Sequence, residues 1–440
     1  MSKSIDSYES CYIIGIGGSG MSSIAKYLYQ KGLNVSGYDQ RSSYATNLLN
    51  NDGIEVDFEI SDHTFNNKIL YIVSSAIDMQ TIFLKDYIQE PNVLTRPEFL
   101  KQLSKKVNLI GVTGTHGKTS TTALLAHIFM FNGINISYIY GGVTSFNGIG
   151  GHYGDESLPL LLETDEAFNT FKELEIDSLL VTNIDYDHVD HFGSYKKLLK
   201  AFETVINNVK NKCILNTDDK ELLNLIRPGD ISYSSTENST YEVKYPNYFS
   251  HEGKEYTIKT KLIGNHFISN ITGAIALAKI NGISIEQSLN SIEHFVGVKR
   301  RTEFIGKFNG VNFYDDYGHH PTEIKATTKA LKENTVGNLI VIFQPHRFTR
   351  TRDHFDDLKN SFNYSDLTLI TDIYSAGEKP IPGISSLLFE GDGIKYIKSP
   401  RLVPHYVKTN IKSGDTVLTI GAGDITLLGP QILKYLNENK

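Results

Sequence analysis

Two glycine-rich segments of the chain carry residues that could bind phosphate groups. The segment at residues 111–122, GVTGTHGKTSTT, contains Gly117-Lys118-Thr119. Backbone N–H groups of such a loop can surround a phosphate, while the lysine reaches the terminal phosphates and the threonine hydroxyl binds Mg²⁺. The standard loop has glycine where this chain has Val112, so a strict pattern match fails. A lysine in the first turn of a helix still favours a bound anion, because the helix dipole repels a cation there. A helix start with threonine caps is the alternative.

The other glycine-rich segment has the form of a dinucleotide-binding turn. The apolar run CYIIGI leads into Gly15-x-Gly17-x-x-Gly20 and a helix, and the next apolar run ends in Asp39. Such a turn brings the backbone close to a diphosphate at the helix N-terminus, and the acidic residue meets a ribose hydroxyl. NAD, FAD and UDP-sugars all carry these groups, so the motif does not distinguish among them. Glycines that are needed only for packing are the alternative.

Polar residues follow two apolar segments downstream of Lys118. They are Glu163, Asp165, Asn183, Asp185, Asp187, His188 and Asp190. Ligands in α/β sheets lie beyond the carboxyl ends of the strands, and carboxylates there suit Mg²⁺ bound to nucleotide phosphates. Each acidic residue on its own could instead cap a helix.

A further cluster of ionisable residues lies in the last third of the chain. YDDYGHHP at 314–321 follows one apolar run, and HRFTRTRD at 346–353 follows another. Arg347 and Arg350 are three positions apart, so a helix would present both guanidinium groups on one face, where they could bind a carboxylate. A solvated basic surface is the alternative.

The elements that must position these residues follow a repeated order. Short, continuous apolar runs alternate with amphipathic helical patterns, which is typical of α/β domains with parallel sheets covered on both faces. The pattern restarts three times, and we predict domains at 1–106, 107–295 and 296–440. Residues 231–263 read as short antiparallel strands, a small β insert in the second domain.

Composition excludes several classes of function. A net charge of −7 and a pI near 6.1 disfavour nonspecific binding to nucleic acids or anionic membranes. No apolar run approaches the ~18 residues of a membrane span, and the N-terminus has no signal-peptide pattern. Two cysteines cannot form a disulfide framework, so we expect a cytoplasmic protein.

The combined motifs resemble a known family. GTHGKTSTT, with VTNIDYDHVDHF downstream, is similar to the Mur ligases of peptidoglycan synthesis. GIGGSGMSSIA, YDDYGHHPTEI, FQPHRFTRTRD and EKPIPG resemble in particular the member that adds L-alanine. The resemblance covers essentially the whole chain. It implies three domains: Rossmann-like for the UDP-substrate, P-loop-like for ATP, and Rossmann-like for the amino acid. The implied reaction joins L-alanine to the lactyl carboxylate of UDP-N-acetylmuramate, with ATP and Mg²⁺, through an acyl phosphate.

The resemblance also assigns expected roles to residues. For the UDP-substrate these are Gly17, Gly18, Ser19, Gly20, Met21, Ser22 and Asp39. For ATP they are Gly114, Thr115, His116, Gly117, Lys118, Thr119, Ser120 and Asn270. Thr119, Glu163 and His188 are the expected Mg²⁺ ligands, and Tyr317, Arg347 and Arg350 the expected amino-acid site. Lys118, His188 and His319 are the expected catalytic residues.

Some positions depart from the family pattern, and other functions compete. Ala167 and Phe168 stand where the family has polar residues, and Phe267 where it has asparagine. A ligase that recycles murein peptides onto UDP-N-acetylmuramate, or a regulator that binds nucleotides without turnover, would share much of the sequence pattern. We expect a monomer or homodimer with no nucleic-acid partner and no membrane insertion.

Overall fold

The computed structural model describes residues 4–59, 64–186 and 192–439, and only the backbone at 167–169. In these ranges the strands form three sheets, and each sheet is mostly parallel. The predicted α/β class with three sheet-based domains is confirmed. No helix among the described residues combines the length and hydropathy that a membrane span needs.

The N-terminal sheet is parallel throughout its described strands. These are β1 (Ser10–Ile14), β2 (Asn34–Tyr38), β3 (Glu55–Asp57), β4 (Ile69–Val73) and β5 (Val93–Thr95). Their order, β3-β2-β1-β4-β5, is that of a Rossmann fold, and the first glycine-rich loop follows β1, where the strand order reverses. The helices are α1 (Ser19–Gln30), α2 (Tyr44–Asn51) and α3 (Arg96–Ser104). Buried aliphatic and aromatic side chains such as Ile13, Ile24 and Phe99 form the core.

The central sheet is larger and carries the second glycine-rich loop near its middle. Its strands are β6 (Leu109–Thr113), β7 (Ser137–Thr144), β8 (Gly148–His152), β9 (Leu160–Glu163), β10 (Ser178–Val181), β11 (Cys213–Asn216), β12 (Ile231–Ser234), β13 (Tyr241–Lys244), β14 (Tyr248–His251) and β15 (Lys254–Thr257). Their order is β15-β14-β13-β12-β11-β10-β6-β9-β7-β8. The helices are α4 (Lys118–Phe131), α5 (Tyr195–Asn208), α6 (Lys220–Leu223), α7 (Asn265–Ile280) and α8 (Ile285–His294).

The predicted β insert at 231–263 is corrected in two respects. Strand β12 pairs in parallel with both β11 and β13, so it extends the parallel part of the sheet. Within 231–263 the antiparallel pairs are β13 with β14 and β14 with β15, and these strands continue the same sheet at its edge. The sequence pattern indicated strands correctly, but pairing direction depends on a partner that is distant in sequence, which local patterning does not reveal.

The C-terminal sheet begins with an antiparallel strand and is otherwise parallel. Its strands are β16 (Glu303–Phe308), β17 (Val311–Asp316), β18 (Leu339–Phe343), β19 (Leu367–Ile370), β20 (Ile394–Tyr396) and β21 (Thr416–Ile420), in the order β16-β17-β21-β18-β19-β20. The helices are α9 (Pro321–Glu333), α10 (Phe348–Asp353), α11 (Phe355–Asn360), α12 (Val403–Asn410) and α13 (Leu428–Glu438). The carboxyl ends of β17, β18 and β21 are neighbours in this order, so the residues that follow them meet at one edge.

By the density of its internal contacts the chain forms two compact units. One contains residues 1–260 and 268–296, and the other contains 261–267 and 297–440. The N-terminal and central sheets therefore belong to one unit. Within it, α1 lies against β7 and β8, and the Ser23 hydroxyl donates a hydrogen bond to the Tyr140 carbonyl at 2.7 Å. Residues 1–106 have their own sheet but not their own compact unit.

Candidate functional site

The second glycine-rich loop connects β6 to α4, in the middle of the central sheet. Gly114 has a φ of +130°, and a Cβ there would overlap the Thr182 hydroxyl at the end of β10. A Cβ on Gly111, within β6, would lie 2.9 Å from a methyl of Leu179. Gly111 and Gly114 are therefore glycine for different structural reasons. Gly114 lets the loop turn close to β10, whereas Gly111 allows tight packing below the loop.

Polar contacts to the segment after β10 hold the tip of this loop. The backbone N–H of His116 donates to Asn183 Oδ1 at 2.9 Å, and Asn183 Nδ2 donates to the His116 carbonyl at 3.0 Å. The ring of His116 contacts the Asp185 carboxylate at 2.9 Å. Across the loop, Asn270 Nδ2 lies 2.5 Å from where a Cβ on Gly117 would be. The structure therefore brings Asn270, from α7, beside the loop.

Lys118 is the first residue of α4 and points back into the loop. Its Nζ donates to the carbonyls of Gly114 at 2.7 Å and Thr115 at 3.1 Å, and to both carboxylate oxygens of Glu166 at 2.9 and 3.1 Å. Burial favours a lower pKa for Lys118, but the carboxylates of Glu166 and Asp165 outweigh it and raise the pKa. Lys118 therefore remains a cation.

Glu166 is a residue that sequence reasoning missed. Its side chain is 1% exposed and forms an ion pair with Lys118. The sequence pattern after β9 pointed to Glu163 as a metal ligand and did not point to Glu166. A signal was available, because Glu166 is three positions beyond the end of β9, and β9 is the strand adjacent to β6. Strand order was needed to interpret that signal.

Oxygen donors converge beside Lys118 at the start of α4. The Thr119 hydroxyl donates to Glu163 Oε1 at 2.7 Å, and the other oxygen of Glu163 accepts from the Gly141 N–H at 2.6 Å. A hydroxyl and a carboxylate are ligand types that Mg²⁺ takes, so Thr119 and Glu163 fit that ion. Ser120 is buried in the same turn of α4. His188, the third expected ligand, lies outside the described residues, as do Asp187 and Asp190.

The first glycine-rich loop connects β1 to α1. Gly15 has a φ of +80°, and the Gly17 N–H donates to the Asp39 carboxylate at 2.8 Å. A Cβ on Gly17 would lie 2.8 Å from that carboxylate, so only glycine fits. Asp39 therefore shapes the turn itself, in addition to the ribose contact expected of it. A Cβ on Gly20 would lie 3.0 Å from Arg96 Nε, so the third glycine makes room for this guanidinium, another residue that the motif did not reveal.

The first turn of α1 carries the remaining residues expected at this loop. Gly18 is the N-cap, Ser19 begins the helix, and Met21 and Ser22 donate their backbone N–H groups to the Gly18 carbonyl.

Gly141 of β7 lies between the two loops. A Cβ on Gly141 would be 3.3 Å from Ser19 Oγ, at the start of α1, and 3.5 Å from Glu163 Oε2, at the end of β9. The N-terminus of α1 and the polar residues around Lys118 are thus separated by about the width of one glycine. The two glycine-rich loops therefore lie close together within one compact unit.

The histidine and tyrosine residues after β17 form an aromatic cluster in the C-terminal unit. The Tyr317 and His319 ring centroids are 5.4 Å apart, and those of His319 and His346 are 5.9 Å apart. The guanidinium of Arg300 lies 4.8 Å from the centre of the Tyr317 ring. Burial raises the pKa of Asp316 to about 6, although the N–H groups of Thr302 and Gly318 donate to its carboxylate and partly offset this effect.

Arg347 and Arg350 are near each other but not on one helix. Arg347 precedes α10 as its N-cap, with φ +71° and ψ 137°, and only Arg350 lies within the helix. The prediction that one helix face carries both arginines is therefore wrong for Arg347. The Arg350 guanidinium donates to His346 Nδ1 at 3.4 Å. Burial, together with the charges of His319 and the arginines, lowers the pKa of His346 to about 4, so its ring is neutral at pH 7 and can accept this bond.

Three family models match successive parts of the chain. Residues 10–107 match "Mur ligase family, catalytic domain", 161–278 match "Mur ligase middle domain", and 300–423 match "Mur ligase, glutamate ligase domain". The UDP-N-acetylmuramate–L-alanine ligase of Mesorhizobium japonicum is 35% identical over 94% of this chain and 95% of its own length. The enzyme of that name from Rhizobium etli is 34% identical over 97% and 96%.

The chain belongs to the Mur ligase family.

Solved Mur ligase structures share the fold. UDP-N-acetylmuramate-alanine ligase from Thermotoga maritima superimposes with a TM-score of 0.82 at 23% identity, covering 98% of this chain and 100% of that one. A murein peptide ligase from Psychrobacter arcticus gives 0.67 at 22% identity, covering 97% and 98%. MurF ligase from Thermotoga maritima, solved in complex with ADP, gives 0.64 at 17% identity, covering 84% and 89%.

Proposed function

We propose that this Mur ligase joins L-alanine to the lactyl carboxylate of UDP-N-acetylmuramate, with hydrolysis of ATP to ADP and phosphate, in the cytoplasmic synthesis of peptidoglycan precursors. The observation that carries the proposal is the position of Gly141 between the two phosphate-binding loops. A nucleotide sugar held at α1 and ATP held at Lys118 would face each other across this glycine. Relatives at 32–35% identity that carry the name UDP-N-acetylmuramate–L-alanine ligase support the choice of substrates.

The first chemical step activates a poor leaving group. A lactyl carboxylate oxygen attacks the γ-phosphorus of ATP, the bond to ADP breaks, and an acyl phosphate forms. Backbone N–H groups of Gly117, Lys118 and Thr119 would hold the phosphates, and the Lys118 ammonium would stabilise the negative charge that accumulates on them. Thr119 and Glu163 would hold Mg²⁺, which when bound neutralises phosphate charge. His188 is the proposed further ligand.

The second step forms the amide. The alanine amine attacks the carbonyl carbon of the acyl phosphate, and phosphate leaves from the tetrahedral intermediate. Arg347 and Arg350 would bind the alanine carboxylate, which leaves the amine free to react. Tyr317 and His319, in the adjacent cluster, would contact the reacting groups. The rate advantage comes mostly from holding three reactants in position.

The first glycine-rich loop would hold the nucleotide sugar. Within residues 17–22, Ser19 and Gly20 place their backbone N–H groups at the N-terminus of α1, where the helix dipole favours a diphosphate. A cytoplasmic location suits ATP and UDP-sugars as substrates. It also suits Cys11 and Cys213, which are both buried and unpaired, because such thiols remain reduced there.

Phosphate release tests the proposal directly. Purified protein is incubated with ATP, Mg²⁺ and UDP-N-acetylmuramate, and with each amino acid in turn. We expect release with L-alanine that depends on the nucleotide sugar, and little with other amino acids. Release only with a murein peptide would favour a recycling ligase. Binding of both nucleotides with no release under any condition would favour a regulator. Lys118→Ala is the control for contaminating ATPases.

A further inference from the structure

Glu378 belongs to the segment AGEKPIPG at 376–383, which the mechanism above does not use. Its carboxylate contacts both sides of the turn that leads into α10. Glu378 Oε1 accepts from Arg347 Nε at 2.6 Å and from the Thr349 hydroxyl at 2.6 Å, and Oε2 accepts from the Thr349 N–H at 3.0 Å. One side chain thus satisfies a backbone donor of the first turn of α10 and also fixes the guanidinium of the residue before it.

The backbone of Arg347 needs such support. Its φ of +71° with ψ 137° lies outside the regions that residues other than glycine normally adopt. Conformations of this kind persist only where the surroundings hold them. The Arg347 N–H donates to the Tyr374 carbonyl at 2.8 Å, and the Tyr374 N–H donates to the Pro345 carbonyl at 2.8 Å. These bonds fix the main chain, and Glu378 fixes the side chain.

The contact leaves the outer end of the guanidinium available. Glu378 engages Arg347 through Nε, and the side chain of Arg347 is 39% exposed. The two terminal nitrogens can therefore present parallel donors to a carboxylate. Partial burial favours a higher pKa for Glu378, but the hydrogen bonds from Thr349 and Arg347 outweigh it and hold the pKa at about 2. Glu378 is therefore ionised under all working conditions.

We propose that Glu378 is a positioning residue for the amino-acid substrate: it orients Arg347 so that Arg347 and Arg350 together bind a single carboxylate. Two guanidinium groups and one fixed carboxylate leave a net charge of +1, which matches an amino acid with one carboxylate. The inference rests on the proposed function, because it takes the amino acid as the ligand of this cluster.

The first test separates the amino acid from the other substrates. Glu378→Ala should raise the KM for L-alanine about tenfold, the effect of losing one hydrogen bond to a charged group in a binding site. The KM values for ATP and UDP-N-acetylmuramate should stay within about twofold, since those sites lie on the other unit. Glu378→Gln keeps one acceptor oxygen and should give an intermediate KM. Glu390→Ala, which removes an exposed glutamate of the same domain, is the matched control and should change none of them.

A double-mutant cycle tests whether Glu378 acts through Arg347. In an Arg347→Ala background, Glu378→Ala should raise the KM for L-alanine by less than about twofold, because the group that it positions is absent. Alaninamide lacks the carboxylate, so its turnover should be the same in wild type and in Glu378→Ala. The proposal would be overturned if the two substitutions raised the KM for L-alanine by independent, multiplying factors. It would also be overturned if Glu378→Ala reduced the turnover of alaninamide as much as that of L-alanine.

Two outcomes remain to be distinguished. If Glu378→Ala lowers the unfolding temperature enough to impair the fold, Glu378→Gln replaces it in the double-mutant cycle with Arg347→Ala. An unchanged KM for L-alanine in a folded Glu378→Gln variant would then refute the positioning role. If wild type releases no phosphate with L-alanine, the proposed function fails before any variant is compared. Wild-type turnover with an unchanged KM in folded Glu378→Ala would refute this inference alone.

Discussion

Replacing Glu166 with glutamine should destabilise the protein in the absence of nucleotide. The change leaves the Lys118 ammonium, whose side chain is 13% exposed, without its ion-pair partner. Removing one member of a buried ion pair typically costs about 3–5 kcal/mol. The carbonyls of Gly114 and Thr115 still accept from Lys118, so we expect the low end of that range, about 3 kcal/mol. For a unit of this size the unfolding midpoint should fall by roughly 5–10 °C.

ATP should reverse much of this loss. On the proposed function, Lys118 of the wild type would exchange the Glu166 carboxylate for a phosphate of the bound nucleotide, whereas in Glu166→Gln it has no carboxylate to give up. A ligand stabilises the folded state according to its affinity, so a non-hydrolysable ATP analogue should raise the midpoint of the variant by more than that of wild type. Thermal unfolding with and without the analogue measures both quantities.

Two comparisons decide whether loss of the Lys118–Glu166 ion pair causes the lower stability of Glu166→Gln. Lys118→Met combined with Glu166→Gln removes both charges, and it should be more stable than Glu166→Gln alone. Glu173→Gln removes an exposed partner of Lys101 at 2.6 Å, and because that pair is solvated it should cost less than about 1 kcal/mol. A Glu166→Gln variant that melts with wild type, or a double mutant whose loss equals the sum of the single losses, would refute the reasoning.

The remaining predictions concern separate sites. Lys118→Ala should abolish phosphate release while calorimetry shows nearly intact binding of UDP-N-acetylmuramate; an equal loss of that binding would mean that the loops are wrongly assigned. Arg350→Ala should raise the KM for L-alanine at least roughly tenfold, since losing a charged partner in a desolvated site costs about 2–5 kcal/mol. Arg350→Lys should restore only part, because an ammonium lacks the parallel donors. His346 has a folded pKa near 4, below the ordinary 6.5, so the folded state binds fewer protons than the unfolded one between these values. The free energy of unfolding should therefore fall as pH decreases from 6.5 to 4, by roughly 1–2 kcal/mol more in wild type than in His346→Gln; parallel curves in denaturant titrations would contradict this.

The sequence predicted the elements that carry chemistry better than it predicted their partners. A strand, a glycine turn and a helix are local patterns, so the loops before α1 and α4 could be placed by reading a few adjacent residues. The reason for the shifted glycines became clear only from the strand order. A side chain at position 114 would overlap Thr182, a residue that is distant in sequence but follows the neighbouring strand β10. The ion pair of Glu166 with Lys118 likewise depends on β6 and β9 being adjacent.

Local geometry limited the prediction in the C-terminal domain. Helical spacing suggested a shared face for Arg347 and Arg350, but spacing carries no information about a positive φ at a residue with a bulky side chain. That conformation depends on bonds to Tyr374 and Glu378, which are supplied by a segment about thirty residues further on. Expectations for His188 fall outside the described residues and stay predictions.

The packing of α1 on the hairpin of β7 and β8 has a consequence for how the chain can be divided. A Cβ on Gly151 would overlap the backbone of Ser23, and the Lys26 ammonium donates to the Asn147 carbonyl. The helix and the hairpin are therefore in direct contact, without the loose interface that is typical of separate domains. A fragment ending near residue 106 would expose this face and lose the partners of α1. Exchange of the first 106 residues between relatives would likewise need the matching hairpin. We therefore expect the two glycine-rich loops to unfold together, as parts of one compact unit, rather than as two separable domains.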